Sequence, residues 1–166
     1  MSGLFDRLAG LLEEGHRQAI PDLLSDAQFA DGRATPAAVL IAVTDRLEPG
    51  VILTQRPRDM RDHPGQVAFP GGKIDPGEDA ITAALREADE ELRLPRDEVR
   101  VIGETDRYQT GTGFDVTPVL AVVPPDLPLV PLAVLDRERA THVQRAVRHR
   151  HDRHGLAGVL LRRAVE

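Results

Sequence analysis

The stretch Gly71-Gly72-Lys73-Ile74-Asp75-Pro76-Gly77-Glu78, continued after Asp79 to Leu85 by Arg86-Glu87-Ala88-Asp89-Glu90-Glu91, decides how the rest of this chain is read. Its second half predicts a helix from about Glu78 to Leu92. Ile81, Leu85, Ala88 and Leu92 fall at i, i+4, i+7 and i+11 and form one apolar stripe. Asp75-Pro76-Gly77-Glu78 supplies a start, with one acid able to cap and a following acid suited to the positive end of the helix dipole. Pro95 limits any continuation. On this helix Glu87, Glu90 and Glu91 stand at i, i+3 and i+4 and share a face, expected beside the apolar stripe and not within it.

Two carboxylates about 6 Å apart repel by roughly 2.8 kcal/mol at an effective dielectric of 20. Three on one turn, late in a helix where the dipole disfavours anions, need a compensating cation. Arg86 supplies one positive charge. The remainder suits a hard divalent ion, Mg²⁺ or Mn²⁺, which prefers carboxylate oxygens and retains waters. Such an ion recruits diphosphates, neutralises charge on phosphoryl oxygens and lowers the pKa of bound water. An acidic face alone would read as solvated surface; its spacing from the glycines is what distinguishes it.

Gly72, five residues, Glu78, seven residues, then Arg86-Glu87-Ala88-x-Glu90-Glu91 resembles the Nudix box. From the chain's own composition, a chance match anywhere along it is on the order of 10⁻⁵. The resemblance implies an α/β Nudix fold, an α/β/α sandwich with a mixed β-sheet. It also implies that Glu87 and Glu91 are the principal metal ligands, and that Glu90 is a further ligand or positions water. Arg86 would orient the glutamates, the Gly71-Gly72 backbone would lie close to the metal, and Glu78 would hold the loop to the helix. Arg93 departs from the pattern, standing where the family usually has a glycine at a left-handed helix exit. That departure should cost stability of about 1 kcal/mol and leave the chemistry intact.

A second motif lies upstream. Ile52-Leu53-Thr54-Gln55-Arg56, then Arg61-Asp62-His63-Pro64-Gly65-Gln66-Val67-Ala68-Phe69-Pro70-Gly71-Gly72, resembles the segment that marks coenzyme A diphosphatases within the Nudix superfamily. Pro57 stands where that pattern has Ser or Ala. The resemblance implies substrate contacts from Arg56, Arg58, Arg61, Gly65, Gln66, Phe69 and Gly71. The three arginines offer forked cations matched to phosphate oxygens, of which coenzyme A carries a diphosphate and a 3′-phosphate. His63 is expected to orient the loop.

Working outward, Ala37 to Val43 and Val51 to Thr54 read as strands about a Glu48-Pro49-Gly50 turn, and 56–77 reads as loop with one short strand, Gln66 to Phe69. Val99 to Tyr108 and Phe114 to Val123 read as further strands around Gly111-Thr112-Gly113. Leu4, Leu8, Leu11 and Leu12 predict a short amphipathic helix, and 137–150 and 156–165 are expected to be helical. The order is mixed, without regular βαβ alternation. One Nudix domain is expected over 1–166: an N-terminal helical segment 1–34, a core 35–123 with the box at 72–94, and a C-terminal helical segment 124–166. That last segment is shorter than in the family, because Leu129-Val130-Pro131 passes almost directly to Leu132-Ala133-Val134-Leu135-Asp136. Asp115, Asp126 and Asp136 are candidate replacement acids.

Composition narrows the function classes. The chain has 166 residues, 41% hydrophobic and 29% charged, which suits one soluble domain. Cysteine is absent, so no thiolate site or disulfide can form. With four Phe, one Tyr and no Trp, a single-stranded nucleic-acid binder lacks stacking platforms. The net charge of −6 divides into +5 over 137–166 and −11 elsewhere, so no nucleic-acid partner is expected. His149, His151 and His154 alternate with arginines that would repel a metal. No apolar run reaches membrane-spanning length. Asp6, Arg7, Glu13 and Glu14 interrupt any export signal, so the cytoplasm is the expected location. The expected activity is metal-dependent hydrolysis of coenzyme A or acyl-CoA to 3′,5′-ADP and 4′-phosphopantetheine species. The alternatives are ADP-ribose or a dinucleotide as substrate, or a degenerate binding module. A homodimer is left open.

Overall fold

Two ten-residue strands set the frame. In the computed structural model, which describes residues 3–18, 34–55, 65–127 and 129 and the backbone of 142–144, β1 (Thr35–Thr44) runs parallel to β7 (Phe114–Val123). Their apolar sequences are long because both faces are covered, as parallel pairing requires. Ala38, Leu40 and Ala42 pack with Val119, Ala121 and Val123 on one face. Ile41 and Val43 pack with Leu120 and Val122 on the other. The period-two alternation of a strand thus feeds two apolar layers at once.

Antiparallel neighbours complete a five-stranded mixed sheet in the order β4-β1-β7-β5, with β6 also paired to β7. Here β4 is Gly71–Lys73, β5 is Arg100–Glu104 and β6 is Tyr108–Gln109. The run Val99 to Tyr108, expected as one strand, is therefore two. A bulge at Ile102 lets Val101 and Gly103 pair with consecutive residues of β7, which turns the strand at this edge. The strand β4 falls in a stretch expected to be loop, because two glycines carry no strand signal of their own and β1 supplies the pairing.

A second, antiparallel sheet has the order β3-β2-β8: Val67–Ala68, Leu53–Gln55 and His142–Gln144. β8 corrects the expectation of a helix over 137–150, since its ladder to Leu53–Gln55 makes 142–144 a strand. The remainder of that segment, and 156–165, lie outside the described residues. The helix α1 (Leu4–Arg17) covers one face of the mixed sheet through Leu8, with Leu4 and Phe5 alongside. The helix α2 (Ala80–Leu92) covers the other. The architecture is α/β with helices on both faces of a mixed sheet. No helix among the described residues is long and apolar enough to cross a membrane.

Two details of α2 differ from the sequence expectation. Its N-cap is Asp79, whose side chain accepts from the Thr82 amide at 2.7 Å, not a member of the preceding turn. Its deeply buried residues are Ala80, Ala83, Ala84, Ala88 and Leu92, while Ile81 and Leu85 are only partly buried. Side chains without bulk let the helix lie close to the sheet. The alanine face is rotated from the Ile81/Leu85 stripe toward the glutamates, so Glu87 and Glu91 point into the protein and not to one side of its core.

The helix ends where the sequence suggested strain. Arg93 adopts φ 54, ψ 38, the one non-glycine at positive φ among the described residues, and its amide bonds back to Ala88 and Asp89. Leu94 is then buried, which fixes the exit direction. Replacing Arg93→Gly removes the Cβ penalty of the left-handed conformation. The expected outcome is a stabilisation of about 1 kcal/mol, read as a raised urea midpoint at unchanged m-value.

Candidate active site

The site begins with a turn. After β4, Ile74 donates its amide to the Pro36 carbonyl, which carries the chain past the end of β1. The turn Asp75-Pro76-Gly77-Glu78 closes by Glu78 N–H to Asp75 O at 3.0 Å, with Gly77 at φ 87 where a side chain would be strained. The Glu78 carboxylate folds back to accept the Asp75 amide at 3.1 Å.

Arg86 gathers what surrounds it. Its Nε and one terminal nitrogen each reach a separate oxygen of Glu78 at 3.0 Å, the forked geometry in which guanidinium binds carboxylate best. The same terminal nitrogen donates to the Lys73 carbonyl at 3.0 Å. The other reaches Glu87 Oε1 at 2.8 Å and lies 3.6 Å from Glu90 Oε1. One side chain on α2 therefore ties together β4, the turn and two of the three glutamates. Glu78 is held below the ordinary glutamate range, chiefly by the Arg86 hydrogen bonds, with partial desolvation opposing and the Asp75 amide assisting. Arg86 is pushed further toward its charged form by Glu78 and then Glu87. The stabilisation linked to Glu78 is complete above the free glutamate range and is lost only as pH falls through its lowered value.

The glutamates differ in their surroundings. Glu90 is mostly exposed, Glu87 is about four-fifths buried, and Glu91 keeps Oε2 out of solvent contact. Glu87 rests on Gly72: a Cβ added there would fall 2.7 Å from Glu87 Oε2 and nearer still to the rest of the carboxylate. Among the described residues no three acidic or histidine side chains close around one point. The donor set nevertheless fits a hard divalent cation. It offers only oxygens, Glu87 is seated in a cradle that a side chain would fill, and Mg²⁺ needs only one or two carboxylates beside its own waters. Burial of carboxylate oxygen strengthens its attraction for a cation held beside it.

The remaining expected site residues scatter. Arg56, Arg58, Arg61 and His63 lie outside the described residues. Gly65 has φ 72, and its carbonyl accepts from the Gln55 side chain at 3.1 Å, which ties the two ends of the arginine-bearing connection. Gln66 is exposed at the start of β3. Phe69, expected to contact substrate, is instead 7% exposed and packs with Leu53, Ile41 and Leu120. It supports the strand from below because an apolar ring gains most from that burial. Of the candidate replacement acids, Asp115 is held by Arg107 and Asp126 lies in the turn after β7; Asp136 is outside the described residues. The sequence reading missed Lys73, whose carbonyl is part of the clamp; nothing in a side-chain pattern signals a backbone acceptor.

The two glycines of the site make opposite demands. A Cβ on Gly71 would sit 2.7 Å from Val39 Cα and against the Ala38 carbonyl, so rigid backbone would have to move. The three atoms nearest a Cβ on Gly72 all belong to the Glu87 carboxylate, the far end of a side chain and not backbone. Gly71→Ala is therefore expected to lower thermal stability by about 1–3 kcal/mol. Gly72→Ala should keep the melting temperature within a degree or two yet displace Glu87, raising the half-saturating metal concentration at least about tenfold. Melting curves and metal titrations of both variants check the contrast.

A family model described as the NUDIX domain matches residues 34–154. A protein named uncharacterized Nudix hydrolase NudL in Escherichia coli is 53% identical over 93 residues, covering 55% of this chain and 48% of that protein. The protein of the same name in an Enterobacter species is 44% identical over 122 residues, covering 69% and 64%. The chain thus spans about half to two thirds of the length of these relatives. In solved structures, the Mycobacterium smegmatis Nudix hydrolase RenU superposes with a TM-score of 0.55 at 24% identity, over 70% of this chain and 73% of that one. A Caenorhabditis elegans Ap4A hydrolase gives 0.50 at 22%, over 57% and 70%. The structural likenesses establish the fold, and the match over most of the chain, box and clamp included, establishes that this protein belongs to the Nudix hydrolase family.

Proposed function

We propose that the protein is a divalent-metal-dependent diphosphatase acting on coenzyme A or its thioesters. The observation that carries the reaction class is the Arg86 clamp, which gathers the Lys73 carbonyl, Glu87 and Glu90 at one end of β4. Nudix hydrolases generally use divalent metal ions, and the ions that fit this oxygen-only set are Mg²⁺ and Mn²⁺. A cation bound there neutralises diphosphate oxygens and makes a bound water more acidic.

The chain's own groups do the rest. Glu87 and Glu91 hold the cation, Glu87 fixed by Gly72 and Arg86, and Glu90 holds it further or orients the attacking water. The water oxygen bonds to one phosphorus as the bridging P–O bond breaks, and a glutamate of this set takes the water proton. Products are 3′,5′-ADP and 4′-phosphopantetheine, acylated where a thioester is the substrate. Support for coenzyme A comes from the Arg61 to Gly72 segment and from the arginines at 56, 58 and 61, which suit a substrate bearing three phosphates.

Mass spectrometry of products formed from coenzyme A, with Mg²⁺, Mn²⁺ or EDTA and with ADP-ribose alongside, tests this reading. Metal-dependent 3′,5′-ADP and 4′-phosphopantetheine are expected, and Glu91→Gln should lose at least about a thousandfold in turnover while its circular dichroism is unchanged. Cleavage of ADP-ribose alone would overturn the coenzyme A assignment. No cleavage of either would overturn the diphosphatase reading in favour of a binding module.

A further inference from the structure

The strand that seats Glu87 has little of its own to hold it. β4 is three residues long, and among the described strands β1 is its one neighbour. Two of its residues are glycines, which bring no side chain to pack and leave the backbone free. Its third residue, Lys73, is exposed. What flanks it is better anchored. Phe69 and Pro70 are buried on the upstream side, and Ile74 downstream is partly buried on the α2 face.

Phe69 stands at a corner. Only Phe69 and Pro70 separate β3, in the antiparallel sheet, from β4, in the mixed sheet. Both ends of the corner are pinned. The Ala68 carbonyl accepts from the Thr54 hydroxyl at 3.3 Å, and the Pro70 carbonyl accepts from the Leu40 amide at 2.8 Å. Two residues leave no slack, so any shift of one sheet against the other is carried into Gly71 and Gly72. The Phe69 ring fills the space where the sheets meet, packed with Leu53 of β2 and with Ile41 and Leu120 of the mixed sheet. That layer lies under α1, whereas Ala38, the ladder partner of Gly72, belongs to the layer under α2. Ring and glutamates therefore occupy opposite faces of the mixed sheet. An effect of Phe69 on a cation beside Glu87 has to pass through the Gly71-Gly72 backbone.

We propose that Phe69 is a positioning residue for the metal site. Its buried ring fixes the β3–β4 corner, the corner fixes the Gly72 backbone, and that backbone seats the Glu87 carboxylate. The inference rests on the reading of Glu87 as a metal ligand. It gives the phenylalanine of the upstream motif a role at the metal in place of a substrate contact. Groups that orient a ligand from outside the coordination sphere change metal affinity without touching the ion.

Calorimetric Mn²⁺ titrations of the full chain, without substrate, test it. Phe69→Leu keeps the corner apolar but loses the ring, and should weaken Mn²⁺ at least about fivefold at unchanged circular dichroism. Phe69→Met, nearer in volume, covers the case in which the leucine variant does not fold, and should shift affinity in the same direction. Leu8→Ala removes the α1 side chain buried in the same layer and leaves the corner residues in place. It should lower the melting temperature at least as far as Phe69→Leu. Its Mn²⁺ affinity should nevertheless stay within about twofold of the natural chain. Phe69→Leu combined with Gly72→Ala should lose less than the product of the two single losses, because both act through one seat. Unchanged affinity in the Phe69 variants, an equal loss in Leu8→Ala, or losses that multiply would each overturn the proposal and leave the metal reading standing. No Mn²⁺ binding by the natural chain would overturn both.

Discussion

A single guanidinium organises the site. Arg86 binds both oxygens of Glu78, one oxygen of Glu87 and the carbonyl of Lys73, with Glu90 and Asp75 at the edge of its field. Without it, three carboxylates on one helical turn would repel one another at the disfavoured end of the dipole, and the turn after β4 would have no fixed distance from α2. The planar fork matters as much as the charge. A lysine could neutralise one acid but could not span the turn, the strand and the helix at once. Each bond also removes freedom from a neighbour already held by another, so the later ones order less chain than the first.

The clamp can act because small residues bring its parts close. Ala83, Ala84 and Ala88 are fully buried and set α2 directly on β1, and Gly72 gives Glu87 a seat on β4. The same backbone approach at Gly71 joins β4 to β1. Glu87, on the alanine face, is thus held by packing on one side and by Arg86 on the other. A helix with larger residues there would stand off the sheet, and its carboxylates would be solvated surface.

Much of this was legible in the residues. β7 was bounded at Phe114 and Val123 by its apolar run and flanking turn, and Glu87, Glu90 and Glu91 were placed on one helical turn by spacing alone. Arg93 was singled out by the residue that usually follows such a helix, and its positive φ agrees. What was not legible depended on tertiary partners. The stripe through Ile81 and Leu85 looked like the core face because hydropathy counts bulk, whereas the contact was made by alanines whose value is closeness. β4 was hidden in a glycine pair, β8 in a sequence rich in helix formers, and the inward position of Phe69 behind its place in a substrate motif. Asp79 over its neighbours as the cap was a matter of which residue left the turn first.

The central claim is that this clamped turn and helix hold a divalent cation through Glu87 and Glu91. Calorimetric titration of Mn²⁺ into the full chain, without substrate, tests it most directly when set beside the paired substitution Glu87→Gln and Glu91→Gln. The account predicts saturable binding by the natural chain and its loss in the paired variant, at unchanged circular dichroism. Equal Mn²⁺ binding by both proteins, or none by the natural chain, would contradict it.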